Sequence, residues 1–141
     1  MDHSRRELCF LLPAVLALKD QSPPKGLLPS KVYAFDSLPK QADGPNTFWP
    51  VFDGRTHDGY IIQLHETDLG PGGVPHPPHH HGYEEIFLVR EGSLVVTIEG
   101  RESKLGPGAV AYVSSNQEHG IRNTGSTHAR YFVFELGSQN E

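Results

Sequence analysis

The stretch Gly73-Val-Pro-His-Pro-Pro-His-His-His-Gly-Tyr-Glu-Glu-Ile-Phe-Leu-Val-Arg-Glu-Gly92 decides how this chain is read. Within it, His79, His81 and Glu85 offer imidazole nitrogen and carboxylate oxygen, the donors that hold a borderline transition metal. His79 and His81 are two apart, so on an extended backbone both point to one face, and Glu85 shares that parity if the strand runs unbroken. His80 has the opposite parity and is expected to look away. Pro75, Pro77 and Pro78 cannot donate ladder hydrogen bonds and stiffen the approach, so the loop before His79 is nearly preset. A rigid loop with three donors is the pattern of a ligand site.

Outward from this stretch the chain is a series of short apolar runs punctuated by turn residues. Tyr60 to Asp68, bounded by Asp58-Gly59 and Gly70-Pro71-Gly72-Gly73, reads as the strand that delivers the chain to the histidine loop. On the far side, Glu84 to Arg90 and Ser93 to Glu99 read as two strands joined in a hairpin at Glu91-Gly92. Glu102 to Leu105, Ala109 to Val113, His119 to Asn123 and Ala129 to Leu136 follow, separated by Gly-, Pro- and Asn-containing turns. Eight or nine strands at close spacing, and no segment long enough for a crossover helix, mean an all-β antiparallel sandwich or barrel. At 141 residues the chain makes one domain with a real core. A formal charge of −5 and the lack of a Lys/Arg run argue against nucleic acid or an anionic membrane as main partner, leaving a small molecule. The single cysteine, Cys9, allows no internal disulfide.

Residues 1–18 read as an export signal. Ser4-Arg5-Arg6 precedes an apolar run, Leu8 to Leu18, that suits a signal-peptide core and is too short to span a bilayer. The paired arginines resemble a twin-arginine signal, with Leu8 and Cys9 standing where Phe and Leu are usual, and Val15-Leu16-Ala17 is the best cleavage box. The expected location is therefore periplasmic, or cytoplasmic without the signal, with no membrane span in the mature protein. Residues 19–47 read as an extended arm and first strand: Lys19 to Pro29 has neither period, and Val32 to Phe35 is a short β-like run. Phe48 to Phe52 is an aromatic patch closed by a turn signal at Asp53-Gly54, and Trp49 reads as core or as a dimer contact. Residues 48–136 form the barrel and 137–141 a tail.

The spacing of the quoted stretch resembles that of the cupins, a family of small jelly-roll β-barrels. Their first motif is Gly, five residues, His-x-His, three or four residues, Glu, six residues, Gly; Gly73, His79, His81, Glu85 and Gly92 match every position. The second motif is followed by His119 and Asn123, with Ser114 and Asn116 where Pro and Gly are usual; Asn116 tolerates the left-handed backbone that Gly normally supplies. The resemblance runs from Phe48 to Leu136 and implies a jelly-roll barrel with four metal ligands, His79, His81, Glu85 and His119. Such a set leaves two adjacent positions of an octahedral ion for water, substrate or dioxygen. Without a thiolate, the one divalent transition metal remains open among Fe, Mn, Ni, Zn and Cu.

The function expected from this site is that of a metal-dependent enzyme on a small organic substrate, dioxygenase-like in preference to an isomerase, lyase or decarboxylase. Apolar wall candidates motivate that preference: Phe87, Val89 and Ile121 by parity with the ligands, and Tyr60, Ile62, Phe132 and Phe134 by composition. The alternative is a non-catalytic cupin that binds or senses a small ligand. Tyr60 and His65 are the side chains available for proton transfer, neither one unambiguous. His76 reads as a surface or supporting residue, and His57 and His128 as surface. The extended arm and the aromatic patch offer material for a homodimer.

Overall fold

In the computed structural model, residues 26–138 are described, and they form nine strands and one 3-10 turn. The strands are β1 (Gln41–Asp43), β2 (Asn46–Arg55), β3 (Ile61–Leu69), β4 (Glu84–Glu91), β5 (Leu94–Ile98), β6 (Arg101–Leu105), β7 (Val110–Val113), β8 (His119–Arg122) and β9 (Ala129–Leu136). A six-stranded sheet runs β1-β2-β3-β9-β4-β7 and a three-stranded sheet β6-β5-β8, and the strands in both pair antiparallel. This is the all-β jelly roll expected. Period-two patterning builds it: along β4, Glu85, Phe87 and Val89 are buried between half-buried neighbours, and along β9, Ala129, Tyr131 and Val133 do the same. These side chains meet Leu94, Val96 and Ile121 of the smaller sheet in one core.

Three local expectations change. Glu91-Gly92 is not a hairpin, because β4 and β5 belong to different sheets. Gly92 instead carries the chain across the sandwich corner at φ +75°, so close to β9 that a Cβ would lie 2.6 Å from the His128 carbonyl. Asp53-Gly54 is not a turn; β2 continues to Arg55, and the chain reverses at Thr56 to Tyr60, where Gly59 takes φ +86°. Gly54 serves a close approach, since a Cβ there would meet Leu28 at 2.7 Å. That approach comes from the end of the arm: Leu28 N donates to Arg55 O and Arg55 N to Gly26 O, so Gly26–Leu28 lie along the edge of β2. Phe35 belongs to a 3-10 turn, Phe35–Ser37, rather than to a strand, and its ring packs 5.3 Å from that of Trp49. The proposed export signal with Cys9, most of Lys19 to Pro29, and the last residues of the tail lie outside the described residues.

Candidate metal centre

Two separate pieces of chain bring the histidines together. His79 and His119 form an isolated antiparallel bridge in which each backbone N–H donates to the other's carbonyl, at 3.0 and 2.9 Å. That bridge extends the small sheet by one residue and sets the two rings side by side, centroids 4.8 Å apart. His81 is placed differently. Asn116 N donates to His81 O at 2.7 Å and the Ser115 hydroxyl to Gly82 O at 2.7 Å, so the turn before β8 grips the chain just where it bends into β4. Asn116 sits at φ +63°, the left-handed conformation expected of it. The strand expected to run unbroken from His79 to Glu85 is therefore interrupted at Gly82–Tyr83, and the donors converge through this bend rather than through parity alone. His80 is exposed, as its parity predicts.

Asn123 holds the approach loop. Its side chain is fully buried; Nδ2 donates to the carbonyls of Leu69, Gly70 and Thr127, and Oδ1 accepts from Gly125 N. Its backbone exchanges hydrogen bonds with Gly72 and Gly73. One side chain thus ties the end of β3, the loop that leads to His79 and the β8–β9 turn.

The three histidine donor nitrogens lie within 4.8 Å of one another. His81 Nδ1 faces Tyr83 O at 2.9 Å and His119 Nδ1 faces Gln117 O at 2.8 Å, so each Nδ1–H donates to a carbonyl and each Nε2 presents a lone pair inward. Tyr83 stacks on the His81 ring at 3.6 Å and fixes its plane. His79 Nδ1, His81 Nε2 and His119 Nε2 are buried with no hydrogen-bond partner. Burial, and after it His76, His119 and His81, hold the His79 ring below the usual histidine range, against a hydrogen bond to the Pro77 carbonyl that raises it. Glu85 Oε2 stands 3.0 Å from His119 Nε2 and Oε1 stands 3.4 Å from His81 Nε2. With both Nδ1 protons committed to carbonyls, these contacts oppose acceptor to acceptor in the neutral imidazoles, and a metal ion between them, or a proton on Nε2, relieves the opposition. The residues present therefore fit a metal ion.

A cavity of about 350 Å³ opens beside this group. Its apolar lining comes from Phe48, Phe87, Ile121, Tyr131 and Val133 and its polar lining includes Gln63, His65, Thr67, Glu85 and Glu135. Of the wall residues expected, Phe87 and Ile121 line it, Val89 is core, and Tyr60, Ile62, Phe132 and Phe134 do not line it. The register explains the miss: Gln63, His65 and Thr67 pair with Glu135, Val133 and Tyr131, so the odd-numbered residues of β3 and β9 face the cavity and the even-numbered ones face out. Tyr60 is half exposed beside the β2–β3 turn, outside the cavity, and so has no place in proton transfer here. His65 does line the cavity, and burial keeps its pKa below the ordinary value. Tyr83 is pushed up to about 12, by burial first and then by Glu135 and Glu85, and keeps its proton. Glu135 and Tyr83 were not anticipated; the parity Glu135 shares with Tyr131 and Val133 was the available signal. His76 lies against His79, ring centroids 4.2 Å apart, at the cavity's edge.

A two-sheet β-barrel protein, with a group of three histidines, two half-buried and one buried, placed to hold a metal beside a cavity, is what fold and site define together. A family model for the cupin domain matches residues 65–135, and the chain belongs to the cupin family. It is similar to the L-ectoine synthase of Bordetella petrii, 32% identical over 63 residues, which make up 44% of this chain and 47% of that protein. The chain thus spans about half the length of the curated relatives it matches. KdgF from Halomonas sp. superposes with a TM-score of 0.67 at 17% identity, over 78% of this chain and 97% of that one. The polyketide cyclase RemF from Streptomyces resistomycificus does so with a TM-score of 0.63 at 21% identity, over 75% and 78%. At those identities the likeness is one of fold.

Proposed function

We propose that the protein is a metal-dependent enzyme that acts on a small organic molecule by proton transfer, as an isomerase, lyase or cyclase does. The observation that carries this reading is the group of partnerless nitrogens facing the Glu85 carboxylate beside the cavity. His79, His81, His119 and Glu85 would hold one divalent transition ion, which when bound supplies a Lewis acid for a substrate oxygen. The chain's own groups do the rest. Phe48, Phe87, Ile121 and Val133 exclude water from the substrate, which strengthens the polar contacts made among them. His65, kept neutral by burial, accepts a proton. Tyr83, which keeps its hydroxyl proton, holds the His81 ring in plane.

The similarity to an L-ectoine synthase supports chemistry of this kind. The apolar half of the cavity supports a second reading, a dioxygenase. Metal-loaded protein assayed with diketones, catechols and amino acids, with and without dioxygen, separates them. Turnover that proceeds equally without dioxygen, and falls at least tenfold in His65→Gln, is the expected result. Oxygen uptake matching product formation would replace it with the dioxygenase, and tight binding without turnover under every metal would leave a binding module. The homodimer would form through the outer face of the six-stranded sheet, where Val110 and Tyr112 are 59% and 51% exposed. Sedimentation as a monomer at micromolar concentration would refute that.

A further inference from the structure

Tyr131 lines the cavity from β9, and at 1% exposed its phenol is enclosed by protein. The sheet gives it four same-face neighbours: Ala129 and Val133 along its own strand, Val89 across in β4 and Thr67 across in β3. Three of these are aliphatic. Leu94, Val96 and Ile121 of the smaller sheet belong to the same core and are aliphatic too. Thr67, itself part of the cavity lining, is the polar neighbour among them, and its hydroxyl forms a hydrogen bond with that of Tyr131.

Two hydroxyls joined by one hydrogen bond hold two protons between them and commit one. Which one is committed follows from charge. Burial, first of all, raises the Tyr131 pKa above the ordinary tyrosine value; the bond with Thr67 lowers it, and the Glu85 charge raises it. A bond that lowers it is one in which Thr67 donates and the phenol oxygen accepts, because only that direction favours the phenolate. Tyr131 therefore keeps its own proton and does not give it to Thr67. Phenylalanine would fill the same space without the cost of burying a hydroxyl, so packing alone does not account for the phenol. Phe87 links this hydroxyl to the histidine group: its ring centroid lies 6.1 Å from that of Tyr131 and 6.2 Å from that of His119. A molecule bound at the histidines and lying along Phe87 reaches Tyr131 with its far part.

We propose that Tyr131 is a substrate-binding residue whose hydroxyl donates a hydrogen bond to a carbonyl oxygen of the substrate, while another oxygen of the same molecule faces the histidine group. The proposal rests on the small-molecule reading above and names the substrate class for the same site, a molecule with two oxygen acceptors joined by a short apolar link.

Two pairs of ligands test it. 4-Oxopentanoate and pentanoate share a chain and a carboxylate and differ by one ketone oxygen, and 5-oxohexanoate and hexanoate differ in the same way. Titrated calorimetrically into nickel-loaded protein at neutral pH, at least one ketone should bind about fivefold or more tightly than its alkanoate, the size of one neutral hydrogen bond. In Tyr131→Phe, which keeps the ring, that advantage should fall below about twofold while nickel stoichiometry and the alkanoate affinities stay as they were. A tyrosine that served packing alone would leave the ratio of ketone to alkanoate unmoved. No advantage of either ketone in the wild-type protein, an advantage unchanged in Tyr131→Phe, or no binding of any of the four would each overturn the proposal. Those outcomes leave the metal reading standing if nickel binds with unit stoichiometry; failure to take up nickel would overturn both.

Discussion

Replacing Asn123 by Ala should cost more stability than any single change at the surface of this domain, and the amount follows from its contacts. The substitution removes three donated contacts, to Leu69 O, Gly70 O and Thr127 O at 2.9, 3.0 and 2.7 Å, and one accepted contact from Gly125 N at 2.9 Å. All lie at a side chain only 1% exposed, so each leaves a backbone group short of a partner. At about 1 kcal/mol for each such bond the loss is about 4 kcal/mol, and a water admitted to the vacated space returns part of it, for a net cost of about 3 kcal/mol. That is a large fraction of the 5–15 kcal/mol that holds a typical domain folded, by order of magnitude. The backbone pairing of residue 123 with Gly72 and Gly73 survives the change, so the loop loosens without detaching and His79 loses its fixed position. Urea unfolding of the metal-free protein measures the first effect and metal titration the second. A loss below about 1 kcal/mol, with m unchanged, would refute the idea that Asn123 ties these three segments together.

Other expectations concern the site and the corner of the sandwich. His81→Ala should abolish stoichiometric metal in elemental analysis, whereas His80→Ala, at an exposed position, should retain it; equal losses would contradict the assignment. His65 has its pKa lowered by burial from 6.5, so its contribution to stability is complete above that value and is lost as pH falls below it, the unfolded chain taking up the proton first. The share of the slope that His65 supplies in that window is at most about 1.4 kcal/mol per pH unit, so the slope should be smaller in His65→Gln, with the part due to His79 remaining, which melting curves between pH 7 and 5 can show. Gly92→Ala, at φ +75° and with its Cβ 2.6 Å from a carbonyl oxygen, should cost at least about 2 kcal/mol in the same unfolding assay. If residues 1–18 act as an export signal, N-terminal sequencing of protein from the cell envelope should begin after Ala17; retention of Met1 would count against it.

Much of the centre was legible in one dimension because its spacing is local. Gly73, His79, His81, Glu85 and Gly92 lie within a short stretch, and the positions of its prolines and glycines restrict the backbone wherever the chain folds. The left-handed turn at Asn116 was legible for the same reason, since a single residue's conformational range decides it. The cavity wall was not. Phe132 and Phe134 are as hydrophobic as any residue in the last strand, yet the wall is made by Tyr131, Val133 and Glu135, one position away. Hydrophobicity could not choose, because the outer face of the sheet also buries apolar side chains in part, and only strand register sets which parity points inward.

The sequence by itself therefore determined the strand succession, the rigid histidine loop and the types of donor, all of which rest on local backbone limits and on residue chemistry. Tertiary structure alone decided that β4 and β5 part into two sheets at Gly92, that Asn123 ties the loop to the rest, and that Glu135 rather than an aromatic ring stands beside Glu85. Each of those depends on which distant strands become neighbours and in what register. Pairing across tens of residues is a property of the packed whole, settled by shared burial and not by any one segment's preference.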